Sequence, residues 1–519
     1  MTGRYLLAID AGTGSCRALL FTEAGRQVGA SQREWAHREP PGAPGGQDFD
    51  VDAGWRAIAA CVRDALRDAG AAGGDVAAVS ATSMREGVVL YDRAGREIWA
   101  CPNVDSRSAV EARELIQEGA AENIFAEAGD WVSITTPARL RWLAHHRPGI
   151  FGAVGSLGML SDWIVYRLSG AHVTEPSCGS SSGMFTLSQR RWSQSIPALC
   201  GLPPDVLPPV ADPGTVVGEV TAAAAGQTGL RAGTPVVAGG ADTQLGLLGA
   251  GVGKAEYTVI AGTFWQNTVL LGEPLVDPEA RLRTLCHVVP GEWMLEGIGF
   301  YCGMSMRWFR DAFCDAEVAL ARSRGVDPYV VMEEAAAEVP PGGVIAIMSN
   351  LMNAKRWVHA SPSFLQFNLG DPAAGGRGAC IRAIEEAAAF VARGHRDIIG
   401  ELTGLRFGEL VFTGGAAKGR LWPQIMADVL AIPVHVPVVT ESSGLGAEPG
   451  GPARHDPGDR RVGNPVDQRG HARAGDTLQR GDHARDRHGE GRQGHRGPAA
   501  PGPVGRRCGA EQPVDGPRR

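Results

Sequence analysis

Asp242 is the residue whose surroundings best fit a chemical role, because it follows an apolar run and two glycines. The apolar run 235–238 predicts a strand, and Gly239 and Gly240 predict a turn with close approach of the backbone. A carboxylate at the mouth of a cleft can accept the proton of an attacking hydroxyl during phosphoryl transfer. From these residues alone, a catalytic base and a simple turn aspartate are equally good interpretations.

A glycine-rich turn near the start of the chain can cradle phosphate. Its backbone N–H groups and hydroxyl donors come from Gly12, Thr13, Gly14 and Ser15. Asp10 lies just before the turn and is placed to hold Mg²⁺ through water, with a turn-capping aspartate as the alternative. A Rossmann dinucleotide site does not fit, because Arg17 stands where its third glycine belongs and a strand is predicted to follow.

Two more glycine turns occur in the second half of the sequence. Gly262 and Thr263 separate two predicted strands, as the first glycine turn does. Gly414 and Gly415 precede an apparent helix that runs through Trp422. Glycines beside a helix start can seat a flat adenine ring, and a close strand–helix crossing is the alternative.

Charged pairs stand at the ends of predicted strands. Arg85 with Glu86, and Asp105 with Arg107, could serve polyol hydroxyls, because carboxylates accept hydrogen bonds and guanidinium groups donate them. Surface ion pairs are an equally good interpretation of each. Trp357 and His359 are better explained as packing or surface residues than as ligands.

The elements that position these residues form a pattern that occurs twice. Strands are predicted at 5–10, 16–21, 76–80, 257–261, 265–271 and 410–413, and a helix is predicted at 51–69. The strand–turn–strand unit returns about 250 residues later, which indicates a duplicated architecture with a cleft between the halves. We expect the first domain to cover residues 1–249 and the second to cover 250–447.

Composition limits the class of protein. The 519 residues are 44% apolar and carry a net charge of −7, and no apolar run is long enough to span a membrane. The ten cysteines are scattered singly, which predicts free thiols and a cytoplasmic protein. Residues 448–519 hold 14 Arg and 10 acidic residues, so the rest of the chain carries −11 and does not fit a nucleic-acid surface.

The segment 448–519 differs from everything before it. It contains no Ile, Phe, Trp, Tyr or Met, and it is rich in Gly, Pro, Arg, Asp and His. Such a segment cannot bury enough apolar area to offset its ordering entropy, so we expect disorder. A reading-frame shift in a GC-rich gene would produce this amino-acid composition, and a native flexible tail is the alternative.

Taken together, the motifs resemble those of the FGGY carbohydrate kinases over about residues 5–447. The first phosphate motif matches Asp10, Gly12, Thr13, Ser15 and Arg17, and the catalytic-base motif matches Gly239, Gly240, Asp242 and Gln244. The second phosphate motif matches Ala261, Gly262 and Thr263, and the adenosine motif matches Gly414, Gly415, Ala416, Ala417 and Lys418. The resemblance implies an α/β fold of two actin-like (ribonuclease H-like) ATPase domains with a cleft between them.

The resemblance also implies roles. Asp242 would be the catalytic base and Asp10 the Mg²⁺ residue. ATP would be bound by Gly12, Thr13, Gly14, Ser15, Arg17, Gly262, Thr263, Gly414, Gly415, Ala416 and Lys418. The substrate would be bound by Arg85, Glu86, Asp105 and Gln244. The implied partners are a small sugar-like substrate, a second copy in a homodimer and a phosphocarrier regulatory protein, with no nucleic acid and no membrane.

Within the family, several stretches are most similar to the autoinducer-2 kinases, including residues 83–87, 99–105, 262–266 and 306–314. This similarity implies phosphorylation of linear 4,5-dihydroxypentane-2,3-dione at its 5-hydroxyl. A kinase of another small polyol or ketose, such as a pentulose or glycerol, is the first alternative. A non-catalytic pseudokinase is the second, because the run 441–447 enters the last family motif and then continues into the hydrophilic segment. We therefore expect a truncated second domain and reduced stability.

Overall fold

The computed structural model describes residues 4–371, 374–437 and 446–447. The expected disorder of 448–519 and the motif at 441–445 lie outside these residues. The N-terminal half has eleven strands: β1 Tyr5–Ala11, β2 Ser15–Thr22, β3 Gln27–Glu34, β4 Val76–Ser83, β5 Val88–Tyr91, β6 Glu97–Cys101, β7 Ser156–Met159, β8 Phe185–Thr186, β9 Arg191–Trp192, β10 Val216–Glu219 and β11 Pro235–Ala241.

Six of these strands form one mixed sheet in the order β10-β11-β4-β1-β2-β3. β1, β4 and β11 run parallel, and β2 and β3 continue antiparallel from β1. β5, β6 and β7 form a smaller antiparallel sheet, and β8 pairs with β9. The helices are α1 Val51–Asp68, α2 Ala109–Gln117, α3 Ala120–Ala128, α4 Thr136–His146, α5 Pro148–Gly152, α6 Leu160–Ser169, α7 Pro176–Ser181, α8 Ser195–Leu199, α9 Ala222–Thr228 and α10 Asp242–Gly249.

The C-terminal half repeats this plan. Its strands are β12 Thr258–Ala261, β13 Trp265–Leu271, β14 Arg283–Cys286, β15 Trp293–Gly299, β16 Ile345–Ile347, β17 Ser363–Leu365, β18 Leu410–Gly414 and β19 Val434–His435. Six of them form a sheet in the order β14-β15-β13-β12-β18-β19, and β16 pairs with β17. The helices are α11 Cys302–Phe313, α12 Asp315–Arg324, α13 Pro328–Ala337, α14 Arg377–Thr403 and α15 Leu421–Leu430.

The order β3-β2-β1-β4-β11 in the first sheet corresponds to β15-β13-β12-β18-β19 in the second, with the same pattern of parallel and antiparallel pairs at each centre. The expected two-domain actin-like ATPase fold is therefore confirmed. Each half has its own apolar core, one centred on Trp163 and Ile9 and the other on Trp265 and Phe412.

Two details differ from the sequence prediction. Gly239 and Gly240 belong to β11 rather than to a turn, because the strand continues to Ala241 and Asp242 starts α10 directly. The apparent helix after Gly414 is divided into a 3-10 turn, Gly415–Lys418, and α15. Among the described residues, no helix is long and apolar enough to cross a membrane.

Candidate active site

Three parallel strands of the first sheet end at one edge, and this edge carries the first group of candidate residues. Asp10 lies opposite Thr82 of β4, and Thr82 lies opposite Gly240 of β11. Because strands in a sheet are about 4.8 Å apart, Asp10 and Gly240 are separated by about 10 Å. Asp10 and Asp242, 232 positions apart in sequence, are thereby brought to the same sheet edge.

Asp242 stands at the first position of α10, partly buried. The glycines before it are needed for packing: a Cβ at Gly239 would lie 1.8 Å from the carbonyl oxygen of Ala81. One carboxylate oxygen of Asp242 accepts hydrogen bonds from the backbone N and the hydroxyl of Thr243, at 2.7 and 3.2 Å. Burial raises the pKa of Asp242, against the opposing charge of Arg85.

The first glycine turn is held from outside by aromatic and amide side chains. Trp35 and His37 contact the carbonyl oxygen of Thr13 at 3.1 and 2.7 Å, and the hydroxyl of Thr13 donates to Asn103 at 3.1 Å. Arg17 donates to Gln32 at 3.1 Å on the neighbouring strand. These contacts fix the turn between β1 and β2, as a preformed anion-binding loop requires.

The second glycine turn and the adenosine-like run meet at the equivalent edge of the second sheet. Ala261 of β12 lies opposite Gly414 of β18, so the residues that follow both strands are neighbours. Gly414 has a φ of +96°, and a Cβ there would lie 2.7 Å from the carbonyl oxygen of Ala261, so only glycine fits. Gly303, in the first turn of α11, packs still more closely, since a Cβ there would lie 1.9 Å from the carbonyl oxygen of Gly262. The backbone N of Met304 donates to the carbonyl of Thr263 at 3.0 Å.

Glu333 of α13 orients the end of the adenosine-like run. Its carboxylate accepts hydrogen bonds from the backbone N–H groups of Arg420 and Leu421, directly after Lys418 and Gly419. The negative charge of a carboxylate at the N-terminus of α15 also interacts favourably with the helix dipole. The glycine turn and α15 are thus connected by a side chain that the sequence motif does not include.

Arg85 and Glu86 lie in a buried charge network rather than on an exposed strand end. Arg85 Nη1 is 2.7 Å from Glu296 Oε2, and Glu86 Oε1 is 2.5 Å from Arg283 Nη2. Arg283 also contacts Glu296 at 3.0 Å and Asp130 at 3.1 Å. We call these five residues the central charge network; it joins the N-terminal half to β14 and β15 of the C-terminal half.

The central charge network contains two guanidinium groups and three carboxyl groups. Burial favours a raised pKa for Glu296, but Arg85 and Arg283 outweigh it and hold the pKa of Glu296 below its ordinary value. Burial raises the pKa of Asp130 to about 7, with Arg283 opposing it. The two guanidinium groups therefore face the ionised carboxylate of Glu296, and the carboxyl group of Asp130 is about half protonated near neutral pH.

Asp105 and Gln244 are both buried. Oδ1 of Asp105 accepts from the backbone N of Gln47 at 2.8 Å and from Arg107 at 2.6 Å, whereas Oδ2 lies 3.6 Å from Arg139 and has no hydrogen-bond partner among the described residues. Gln244 donates to the carbonyl of Cys286 at 3.3 Å, and its amide oxygen has no hydrogen-bond partner among the described residues. Trp357 and His359 pack against Phe300, in agreement with the packing interpretation.

Sequence analysis missed the short helix α7 that supports Asp242. The hydroxyl of Ser177 accepts from the backbone N of Ala241 at 2.9 Å and donates to Glu175 at 2.5 Å. Ser180 and Ser181 accept from the backbone N–H groups of Cys286 and Glu86, at 3.0 and 3.3 Å. The signal was present as a cluster of small hydroxyl residues after a capping Glu175, but such residues are common in loops. Asp130, Arg283 and Glu296 gave no local signal.

Family models match both halves of the chain. The N-terminal domain of the FGGY family of carbohydrate kinases matches residues 5–249, and the C-terminal domain of that family matches residues 258–448. The chain belongs to the FGGY family of carbohydrate kinases. The family resemblance inferred from the motifs is confirmed, as is the conclusion that the chain is a kinase that takes ATP as a substrate.

Curated relatives of this FGGY kinase include two autoinducer-2 kinases, from Yersinia enterocolitica and Yersinia pseudotuberculosis. Each is 46% identical over 451 residues, which cover 86% of this chain and 85% of the relative. Among solved structures, xylulose kinase from Rhodospirillum rubrum has a TM-score of 0.74 and 28% identity, covering 86% of this chain and 88% of that one. Glycerol kinase from Plasmodium falciparum with ADP has a TM-score of 0.71 and 19% identity, with the same coverage, which supports the fold alone.

Proposed function

We propose that this FGGY kinase phosphorylates autoinducer-2, in the form of linear 4,5-dihydroxypentane-2,3-dione, at its 5-hydroxyl. The observation that supports this substrate is the 46% identity to autoinducer-2 kinases over most of the chain. The identity to the Rhodospirillum rubrum xylulose kinase is 28% over the same fraction of the chain. The proposed products are the 5-phosphate and ADP.

In the proposed reaction, Asp242 accepts the proton of the primary hydroxyl as its oxygen forms a bond to the γ-phosphorus. The bond between that phosphorus and the oxygen of the leaving ADP breaks, and the electron pair remains on ADP. The position of Asp242 directly after β11, at the first position of α10 and near Arg85, supports this role. A raised pKa suits a general base, since proton transfer is most effective when its pKa lies nearer the working pH.

ATP would lie between the two sheet edges. The turn 12–15 and the pair Gly262–Thr263 would bind its phosphates from the two halves, with Arg17 beside the first turn. Gly414, Gly415, Ala416 and Lys418 would bind the adenosine. The close packing of Gly414 on Ala261 supports this arrangement, because it brings the nucleoside and phosphate segments of the second sheet together.

A magnesium ion fits the first sheet edge. Asp10 supplies carboxylate oxygens, the donors that Mg²⁺ prefers. Its backbone lies about 10 Å from that of Gly240, two residues before Asp242, which leaves room for water and phosphate oxygens between the two strand ends. When bound, the ion would neutralise charge on the phosphates. Asp10 would hold it, while Asp242 remains the proton acceptor.

Arg85, Glu86, Asp105 and Gln244 are proposed to bind or orient the substrate. The four residues differ in what their side chains contact. Arg85 and Glu86 adjoin Asp242 through the central charge network, and Gln244 has an amide oxygen available to a ligand hydroxyl. Oδ1 of Asp105 is occupied by Arg107 and Gln47, but its Oδ2 has no hydrogen-bond partner among the described residues and could likewise accept from a ligand hydroxyl.

An ADP-release assay on the full-length chain tests this function. We expect kcat/KM with the dione to exceed that with xylulose or glycerol, with Mg-ATP saturating and ATP hydrolysis without substrate subtracted. Faster turnover of xylulose or glycerol would assign the enzyme to another FGGY substrate. Thermal stabilisation by Mg-ATP without any ADP release would instead indicate the non-catalytic alternative.

A further inference from the structure

A second cluster of side chains with ligand chemistry lies away from the sheet edges, between α2 and α4. Glu111 is in the first turn of α2, and His145 and His146 are the last two residues of α4. Glu111 Oε1 is 3.1 Å from His146 Nε2 and 3.8 Å from His145 Nδ1. The three ligand atoms lie within 4.8 Å of one another.

Glu111 is buried and has one carboxyl oxygen without a partner in the described part of the chain. Its side chain is 2% exposed, and Oε2 has no hydrogen-bond partner among the described residues. A buried carboxylate oxygen without a partner costs about 1–3 kcal/mol, and more if the group is charged. Both imidazoles face the same oxygen of Glu111, Oε1, so neither of them provides a partner for Oε2.

We propose that Glu111, His145 and His146 bind a divalent transition-metal ion, with Zn²⁺ as the best fit. Two imidazole nitrogens and one carboxylate are a common zinc donor set, with Zn–N and Zn–O distances of about 2.0–2.2 Å. In a tetrahedral site, such ligands lie about 3.3 Å from one another, close to the observed 3.1 and 3.8 Å. Binding through both carboxylate oxygens would also give Oε2 a partner.

The histidines can complete this geometry. Both imidazoles are 51% exposed, so His145 can rotate to shorten the longest separation, and water has access to a fourth position. His146 is held by the indole of Trp142, which stacks on it with ring centroids 5.0 Å apart. One ligand is therefore fixed and buried, one is stacked, and one is free to adjust.

The metal ion would join α2 to α4, and α4 contacts segments of the candidate active site. α4 also carries Arg139, whose guanidinium donates to the backbone carbonyls of Glu86 and Asn103. The ion would hold the opposite end of α4 to α2. This proposal concerns binding and stability and stands independently of the substrate of the kinase.

Metal binding can be measured on the full-length chain after treatment with EDTA and without nucleotide. Titration with Zn²⁺ should show one more equivalent in the wild type than in the double variant His145→Gln/His146→Gln. Five of the 13 histidines lie in 448–519, and any equivalents bound there will be common to all variants. Titration with Co²⁺ should give the visible absorption of a tetrahedral site in the wild type and lose it in the double variant.

His435→Gln is the matched control, because His435 pairs with Glu409 at 3.0 Å and has no second imidazole in that ion pair. It should keep the wild-type number of equivalents. Zn²⁺ should raise the unfolding temperature of the wild type and of His435→Gln more than that of the double variant. Equal stoichiometry and equal thermal shifts in all three proteins would overturn the proposal. Both substituted histidines are half exposed, so the double variant is expected to fold, and circular dichroism checks this.

Discussion

Nη1 of Arg85 lies 2.7 Å from Oε2 of Glu296, with both side chains almost completely buried. Arg85 follows β4 of the first sheet, and Glu296 is in β15 of the second, 211 positions later. The ion pair therefore joins the two halves directly beside Asp242. Arg283 completes it by contacting Glu296, Glu86 and Asp130.

Replacing Glu296 with Gln should strongly destabilise the protein. Arg85 and Arg283 would remain buried with less compensating charge, and breaking a buried pair typically costs about 3–5 kcal/mol. Urea denaturation followed by tryptophan fluorescence measures this change in the free energy of unfolding.

An exposed ion pair provides the control for that measurement. Arg324 and Glu334 are as close, at 2.5 Å, but their side chains are 40% and 51% exposed. Glu334→Gln should leave the denaturation midpoint nearly unchanged, because water solvates the remaining charge. If both substitutions lowered the free energy of unfolding equally, burial would not explain the contribution of the Arg85–Glu296 ion pair to stability.

Asp242→Asn should reduce kcat by roughly 10²–10⁴-fold, the usual contribution of a general base. Binding of Mg-ATP, measured by thermal shift, should persist. Because burial raises the pKa of Asp242, the ionised carboxylate opposes folding once the pH exceeds that pKa. The variant should therefore be at least as stable as the wild type at neutral pH. Near-normal turnover would remove Asp242 from the role of base.

The pH dependence of kcat should reflect the environment of Asp242. The base must be ionised to accept a proton, so activity is lost as the pH falls through its pKa. Burial raises that pKa above the ordinary 3.8, which places the acid limb of the profile above the value for an exposed aspartate. A steady-state profile with saturating substrates tests this, and constant kcat down to pH 4 would contradict it.

Asp162 should make stability depend on pH. It accepts from the backbone N of Met159 at 2.9 Å, and burial raises its pKa from 3.8 to about 8. A raised carboxyl pKa favours the folded state below pH 3.8, and this contribution is lost as the pH rises through 8. Asp162→Asn should therefore gain stability relative to the wild type between pH 5 and pH 9. If the free energies of unfolding of the two proteins changed in parallel with pH, the raised pKa of Asp162 would be contradicted.

Ser177→Ala should lower kcat through the position of Asp242. The substitution removes the acceptor for the backbone N of Ala241 and the donor to Glu175. Misplacement of a reacting group by about 1 Å can cost roughly a hundredfold in rate, so we expect a loss of up to that size with an unchanged KM for ATP.

Ser182→Ala is the matched control for Ser177. The hydroxyl of Ser182 donates to the carbonyl oxygen of Gly179 at 2.5 Å and accepts from the backbone N of Met184 at 3.1 Å. Ser182 is as buried as Ser177. It should keep the kcat of the wild type. If both variants lose activity equally, α7 contributes stability rather than the position of Asp242.

The repeated strand–turn–strand unit could be predicted because it depends on local signals. Alternating apolar runs and glycines marked β1, β2, β12, β13 and β18 close to their observed ends. The continuation of β11 through two glycines could not be predicted, since a glycine pair usually marks a turn. Only the packing of the neighbouring strand β4 explains it, because the carbonyl oxygen of Ala81 lies too close to Gly239 for any Cβ there.

The sequence by itself determined the family, the two-domain fold and the identity of Asp10 and Asp242 as the principal candidates, because their motifs are short and contiguous. Only the tertiary structure decided what Arg85 and Glu86 contact. Their partners Glu296 and Arg283 lie about 200 residues away and carry no motif, and a buried charge finds its counter-ion through the packing of the two sheets rather than along the chain.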